Sequence, residues 1–197
     1  MLWLRSEPYY DCASHRKVRN MNEFQWRLKG RCYKLGHDVP HAGGVIPNAM
    51  IGGRYFDPRD LVPRLFEETD PGFHTRARPG DIIVTGRNFG MGPKMNGYIA
   101  MQALGLGLVC ESMPFLAYRA AIGVGLRTMT DCPAVTDLCE TGDELEVDFS
   151  AGLFVNCTRN LTREYPPLPG ALRDLVRLGG TSGWLKQWWE TKQKATT

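Results

Sequence analysis

The chain of 197 residues carries a formal net charge of +3, with 43% hydrophobic and 23% charged residues. That is length for one domain with one core, and a composition too ordinary for a disordered or fibrous protein. Basic residues are interspersed with acidic ones, without a basic block or aromatic–basic interleaving, so nucleic acid is not an expected partner. The longest apolar runs, such as Ala117 to Val124 with Arg119 inside it, fall far short of the roughly 20 residues that cross a bilayer, so no membrane span is expected either.

Residues 1–29 read as an N-terminal extension. Met1-Leu2-Trp3-Leu4 turns polar within Arg5 to Tyr10 and lacks the apolar centre of a secretory signal, which predicts an intracellular, cytoplasmic protein. Cysteines at 12, 32, 110, 132, 139 and 157 form no C-x-x-C pair and are expected as free, mostly buried thiols. The domain proper is expected over 30–180. Arg31 to Leu35 alternates like a strand and leads into a glycine- and histidine-rich loop, Gly36 to Gly44, a candidate site edge. Arg78-Pro79-Gly80-Asp81 is a turn feeding Ile82-Ile83-Val84, a β-branched run that reads as a buried strand.

After Gly86 a loop carries Asn88-Phe89-Gly90-Met91-Gly92, and Pro93 suits the first position of a helix running to about Leu104. Gly105 and Gly107 lead into a second short strand, Leu108-Val109-Cys110. Ser112 is expected to cap a helix from Pro114 to about Val124. This strand–helix–strand–helix order implies parallel strands with right-handed crossovers, so Met91–Asn96 and Ser112–Tyr118 should approach each other on one side of the sheet. Glu144 to Phe149 alternates, turns at Ser150-Ala151-Gly152 and returns through Leu153-Phe154-Val155 as an antiparallel hairpin at the sheet edge. Pro169 to Leu178 reads as a helix ended by Gly179-Gly180. The segment 181–197 holds a last short helix, Trp184 to Trp189, whose tryptophans dock on the body or on a partner.

Asn88-Phe89-Gly90-x-Gly92, Ser112, Tyr118-Arg119, Gly125-Leu126, Gly142 to Asp148 and Gly179-Gly180, with Ile46-Pro47 and Gly53-Arg54-Tyr55 upstream, form an ordered set. It resembles the isopropylmalate isomerase small subunit and the swivelling domain of aconitases, over about residues 30 to 186. The resemblance implies an α/β fold: a swivelling β/β/α domain with a parallel central sheet, flanking helices and an antiparallel hairpin. It also implies dehydration and rehydration of hydroxy-di- or tricarboxylic acids, with a [4Fe–4S] cluster in a large subunit and a Gly-Ser-Ser-Arg-Glu-His motif in the small one. Three stretches depart from the family. After Gly92 the motif is replaced by Pro93, Lys94, Met95, Asn96 and Gly97. Where the family has Gly-Asp-Asn-x-x-Thr-Asp, this chain has Gly36-His37-Asp38-Val39-Pro40-His41-Ala42. An arginine of the segment that begins at Ser112 has become Phe115.

A polycarboxylate site needs cations and donors, whereas Met91, Met95, Met113 and Phe115 supply adaptable apolar surface or else fill the core. With Pro93, Asn96 and Tyr118 they are the candidate substrate-binding residues, for a larger and more apolar small molecule. Lys94, Arg119 and His41 are the candidate catalytic residues: Lys94 as donor or base, Arg119 as a fork for a carbonyl or carboxylate, His41 as acid or base at the pocket border. Each has a plain alternative, respectively a solvated lysine, a structural ion pair and an idle loop histidine. No metal ligand set is expected in the chain.

The expected function is an enzyme of specialised metabolism acting without an iron–sulfur partner or cofactor, with a homo-oligomer as its expected assembly. Its reaction would be a cyclisation such as a cycloaddition, an isomerisation or an elimination, favoured by a shaped apolar cavity and one donor to a carbonyl. The alternatives are a small subunit docked on a cluster-bearing large subunit, acting on an unusual hydroxy acid, and a non-catalytic scaffold subunit.

Overall fold

The structure, a computed structural model, describes residues 24–51, 55–92 and 95–195. Seven strands within them form one sheet: β1 (Arg27–Lys34), β2 (Ile82–Thr85), β3 (Gly107–Cys110), β4 (Arg127–Met129), β5 (Glu144–Asp148), β6 (Leu153–Asn156) and β7 (Leu161–Glu164), in the order β4-β3-β2-β1-β5-β6-β7. β1 to β4 are mutually parallel, and β5 to β7 continue as an antiparallel meander. β1 is therefore the seam between the two halves.

Every residue of β2 and β3 is buried, the pattern of parallel strands covered on both faces. Ile83, Leu108 and Cys110 point into one core, with Phe66, Phe73, Tyr98, Met101 and Ala117. Ile82, Val84 and Val109 point into the other, with Cys32, Val147, Phe149 and Phe154. The helices are α1 (Pro58–Leu61), α2 (Phe73–Arg76), α3 (Asn96–Ala103), α4 (Phe115–Gly123), α5 (Gly170–Arg177) and α6 (Gly180–Ala195). A third cluster, Ile122, Leu168 and Val176, ties α4 to α5 and receives Phe24, Trp26 and Tyr118. Among the described cysteines, Cys32, Cys110, Cys132 and Cys139 are buried free thiols and Cys157 is half-buried. No helix among the described residues is long and apolar enough to cross a membrane.

Several expectations are corrected. β1 begins at Arg27, because antiparallel pairing to β5 carries it back to an Arg27–Asp148 register, where Arg27 meets Glu146 at 3.1 Å and Asp148 at 3.4 Å. The hairpin is not an edge: β5 lies between β1 and β6, and the exposed β7 forms the edge. Ser112 does not cap α4. Its Oγ accepts from the Asn88 N–H at 3.0 Å, and Pro114 holds the cap position without a side-chain bond. α3 starts at Asn96 with Met95 at the cap position, and Pro93 lies outside the described residues. The last helix spans 16 residues. Its first turn is pressed on α4, where a Cβ at Gly180 would lie 2.2 Å from Gly123 O. Beyond that turn Trp184, Leu185, Trp188 and Trp189 are exposed, so the tryptophans do not dock on the body.

Candidate functional site

Parallel pairing brings the C-terminal ends of β1 to β4 to one rim, the place where open α/β sheets bind ligands. Four loops leave there and are stitched together by backbone bonds. Asp38 N–H donates to Arg87 O at 2.8 Å, Gly90 N–H to Val39 O at 2.8 Å and His41 N–H to Met91 O at 2.9 Å. Phe89 N–H donates to Ser112 O at 3.0 Å, so the loops after β2 and β3 do meet, as the strand order requires. Asn88 sits at φ 60°, a conformation its short amide tolerates. Its Nδ2 donates to Asp38 Oδ1 at 3.0 Å.

The candidate residues separate on this rim. Pro93 and Lys94, like Gly53, Arg54, Cys12 and the rest of residues 1–23, lie outside the described residues. Met91 and Met95 are each 36% exposed. Asn96 is buried, its Nδ2 donating to Tyr55 O at 2.6 Å. His41, expected at the pocket border, is fully buried, its ring 4.9 Å from that of Tyr98. Its Nε2 accepts the Gly97 N–H at 3.2 Å, inside the first turn of α3, where Met95 offers no side-chain cap. A Cβ at position 97 would lie 3.2 Å from His41 Cε1 and 2.4 Å from Val45 Cγ1, so the imidazole uses room that only glycine leaves. The position of His41 is that of a structural helix cap.

Met113, Phe115 and Tyr118 do come together. They line an open groove of about 450 Å³ with Met129, Leu168 and Leu172, at the foot of which lies Asp131. Met91, Met95 and Asn96 do not line it. Phe115 is 70% exposed, and the Arg119 guanidinium lies over its ring at 5.4 Å. Burial, and then the Asp131 carboxylate, push the Tyr118 phenol above its ordinary pKa, so it stays a hydrogen-bond donor in the groove.

His37 holds the more developed position. Its side chain is 45% exposed, yet it is seated: Nδ1 accepts the Arg87 N–H at 2.9 Å and lies 3.9 Å from Glu111 Oε2. Glu111 is itself oriented by Thr136, whose hydroxyl donates to Oε1 at 2.7 Å. The visible signal for this seat is Gly86 directly after the β2 run, forty-nine residues from His37, and only the fold connects the two.

Among the described residues no group of three or more His, Cys, Asp or Glu is placed to hold a metal ion. The buried cysteines are turned into the cores, with the free thiols of Cys32 and Cys139 hydrogen-bonded to each other, and offer no set of thiolates at the rim for an iron–sulfur cluster.

No protein-family model matches the chain. Curated relatives do. The 3-isopropylmalate dehydratase small subunit of Thermodesulfovibrio yellowstonii is 31% identical over 166 residues, 82% of this chain and 95% of that protein. A small subunit from Archaeoglobus fulgidus is 34% identical over 167 residues, 82% and 96% respectively. The isopropylmalate/citramalate isomerase small subunit of Methanocaldococcus jannaschii is 32% identical over 163 residues, 81% and 94%. A crystal structure of 3-isopropylmalate dehydratase from Methanocaldococcus jannaschii superposes with a TM-score of 0.75 at 30% identity, covering 86% of this chain and 99% of that one. With near full-length coverage of relatives above 30% identity and the same fold, this chain belongs to the 3-isopropylmalate dehydratase small-subunit family.

Proposed function

We propose that this chain is the small subunit of a heteromeric hydro-lyase, in which its loop rim docks on an aconitase-type large subunit and contributes an apolar wall to the shared site. One observation carries this reading. The rim exposes Met91 (36%), Met95 (36%), Phe115 (70%) and Leu116 (54%), apolar surface of a kind that marks an interaction site when it gathers at one end of a domain. The [4Fe–4S] cluster would belong to the large subunit, since the described cysteines offer no set of thiolates at the rim, and it would supply Lewis-acid chemistry at the substrate hydroxyl. This chain binds and orients: Met113 and Phe115 hold an apolar substituent, the Tyr118 hydroxyl donates, and Arg119 and Lys94 provide positive charge. The substrate is a hydroxy acid with a larger apolar part and fewer free carboxylates than 3-isopropylmalate, and the reaction is a cytoplasmic metabolic step.

Coexpression with an aconitase-type large subunit and anaerobic purification tests this. A brown heteromer that dehydrates a hydroxy acid with a bulky apolar side chain, and is inactive on 3-isopropylmalate, is the expected result. Efficient turnover of 3-isopropylmalate sinks the substrate assignment, and failure to form any complex sinks the subunit assignment. A second reading draws on the 450 Å³ groove. A site of that size suits a stand-alone, self-associating enzyme of specialised metabolism that performs a cyclisation, such as a cycloaddition, an isomerisation or an elimination without a cofactor. A colourless protein that converts an apolar precursor unaided favours it.

A further inference from the structure

We infer that His37 is a preset, uncharged hydrogen-bond donor on the substrate rim, and that its ligand is an uncharged carbonyl or hydroxyl oxygen. The inference deepens the proposed function, on which it rests for the identity of the rim as the substrate face.

The geometry begins with the Arg87 backbone N–H, which carries a proton at any physiological pH. Because it donates to His37 Nδ1 at 2.9 Å, Nδ1 is an acceptor and the ring proton sits on Nε2. The ring is fixed from behind as well. A Cβ at Gly86 would lie 2.1 Å from Nδ1, 2.6 Å from Cε1 and 2.8 Å from Cγ, so the imidazole rests on the bare backbone of residue 86. The Nδ1 edge is thus turned into the protein. Nε2–H is on the opposite edge of a side chain that remains 45% exposed. A half-exposed histidine with no task needs neither a glycine seat nor a backbone donor on its inner nitrogen. Together they fix one tautomer and one direction, at the end of the strand that joins the two halves of the sheet.

The surrounding charge selects the ligand. Glu111 Oε2 is 3.9 Å from Nδ1, and Asp38, held by Asn88 Nδ2 at 3.0 Å, follows His37 directly. The Glu111 carboxylate beside the ring repels another on the ligand, so an ester, ketone, amide or alcohol oxygen fits where a free carboxylate does not. In this way one donor remains on a rim where the family's motif side chains have been replaced, and it favours the less charged substrate that the exposed methionines and Phe115 also favour.

The test uses the full chain labelled with nitrogen-15. A two-bond proton–nitrogen spectrum at neutral pH should show His37 Nδ1 as an unprotonated acceptor and Nε2 as protonated. An Nδ1-protonated ring overturns the assignment. Titration with malate and with its dimethyl ester should move the His37 ring signals saturably for the ester and less for the diacid. His37→Ala should weaken ester binding about three- to tenfold, as expected for one neutral hydrogen bond. His37→Gln, which carries an amide N–H close to the Nε2 position, should stay within about twofold. Tighter binding of malate than of its ester, no response of either ligand at His37, or an Ala variant that binds as tightly as the native chain each overturns the proposal. No large subunit and no turnover enter these readouts, so a failed complex leaves them intact, and a silent His37 leaves the subunit assignment standing.

Discussion

Two glycines decide what the two loop histidines do. At position 86 the backbone torsion is one any residue adopts, so an added methyl group meets only the His37 ring. Gly86→Ala should push the imidazole off its seat and cost about 0.5–1.5 kcal/mol, the worth of the bond from Arg87 N–H. His37→Ala should cost a similar amount, and the double variant little more than either alone, which urea unfolding of the four proteins in a double-mutant cycle would read as strong coupling. At position 97 the neighbours are buried. Val45 Cγ1 and His41 Cε1 stand 2.4 Å and 3.2 Å from the missing Cβ, so Gly97→Ala should lower stability by about 1–3 kcal/mol, measured the same way. The sequence placed both histidines in one candidate loop and favoured His41. That preference had no structural ground, because burial of one and seating of the other depend on side chains absent from positions some fifty residues downstream. The apolar trio Met113, Phe115 and Tyr118 was legible because helical spacing alone puts all three near the first turns of α4. The separation of Met91 and Met95 from their groove was not, since it depends on how the loops after β2 and β3 are stitched.

The parallel half of the sheet was readable from the β-branched run of β2 and the glycine-bounded run of β3, whereas β4 is an Arg-Thr-Met strand of three residues with no periodicity to reveal it. The hairpin's strands were visible, but its place inside the sheet depends on β1, whose partner is more than a hundred residues away. That junction is guarded by two carboxylates at the ends of β5. Burial raises the pKa of Asp143, but the N–H of Glu140, Asn156 Nδ2 and Arg159 outweigh it and hold the group below the ordinary value. Burial likewise raises that of Asp148, and the Ser150 hydroxyl, the N–H groups of Ala151 and Ser150, and Arg27 reverse the shift. A carboxylate with a depressed folded-state pKa stabilises the fold above the unfolded value, and that contribution is lost as pH falls through the folded one. Stability should therefore fall as pH drops below about 4. Asp143→Ala should lower the melting temperature at neutral pH by more than it does in acid, and a pH series of thermal melts checks the narrowing gap. The outer part of α6 has the opposite character, because Trp184, Leu185, Trp188 and Trp189 all remain exposed. Deleting 184–197 should move the melting temperature by no more than about 2 °C, the range of a surface change. Gly180→Ala should be clearly destabilising, with a Cβ forced against Gly123 O at a φ of +79°.

At the level of the whole molecule, the two departures from the family motifs in the loop after β1 and at the start of α3 meet in space, because His41 and Gly97 are in contact. The resemblance of the motifs sets a threonine against His41 and a histidine against Gly97. Here the imidazole stands in the loop and reaches across to cap the helix with its Nε2, filling the room beside residue 97 from the other side. Catalytic residues therefore cannot be returned to this chain one segment at a time. Replacing residues 93–97 with Ser-Ser-Arg-Glu-His introduces a side chain at 97 where His41 and Val45 already sit, and should cost several degrees in melting temperature, by the overpacking that confronts any buried insertion. Adding His41→Thr vacates the space and should restore most of that loss. If the graft alone is as stable as the native chain, the contact is coincidental and the loops are independent. If stability returns only with His41→Thr, the paired protein becomes the right one to assay on 3-isopropylmalate with a relative's large subunit. Activity is then limited by the remaining apolar wall at Met113 and Phe115, so Phe115→Arg is the change expected to raise it further.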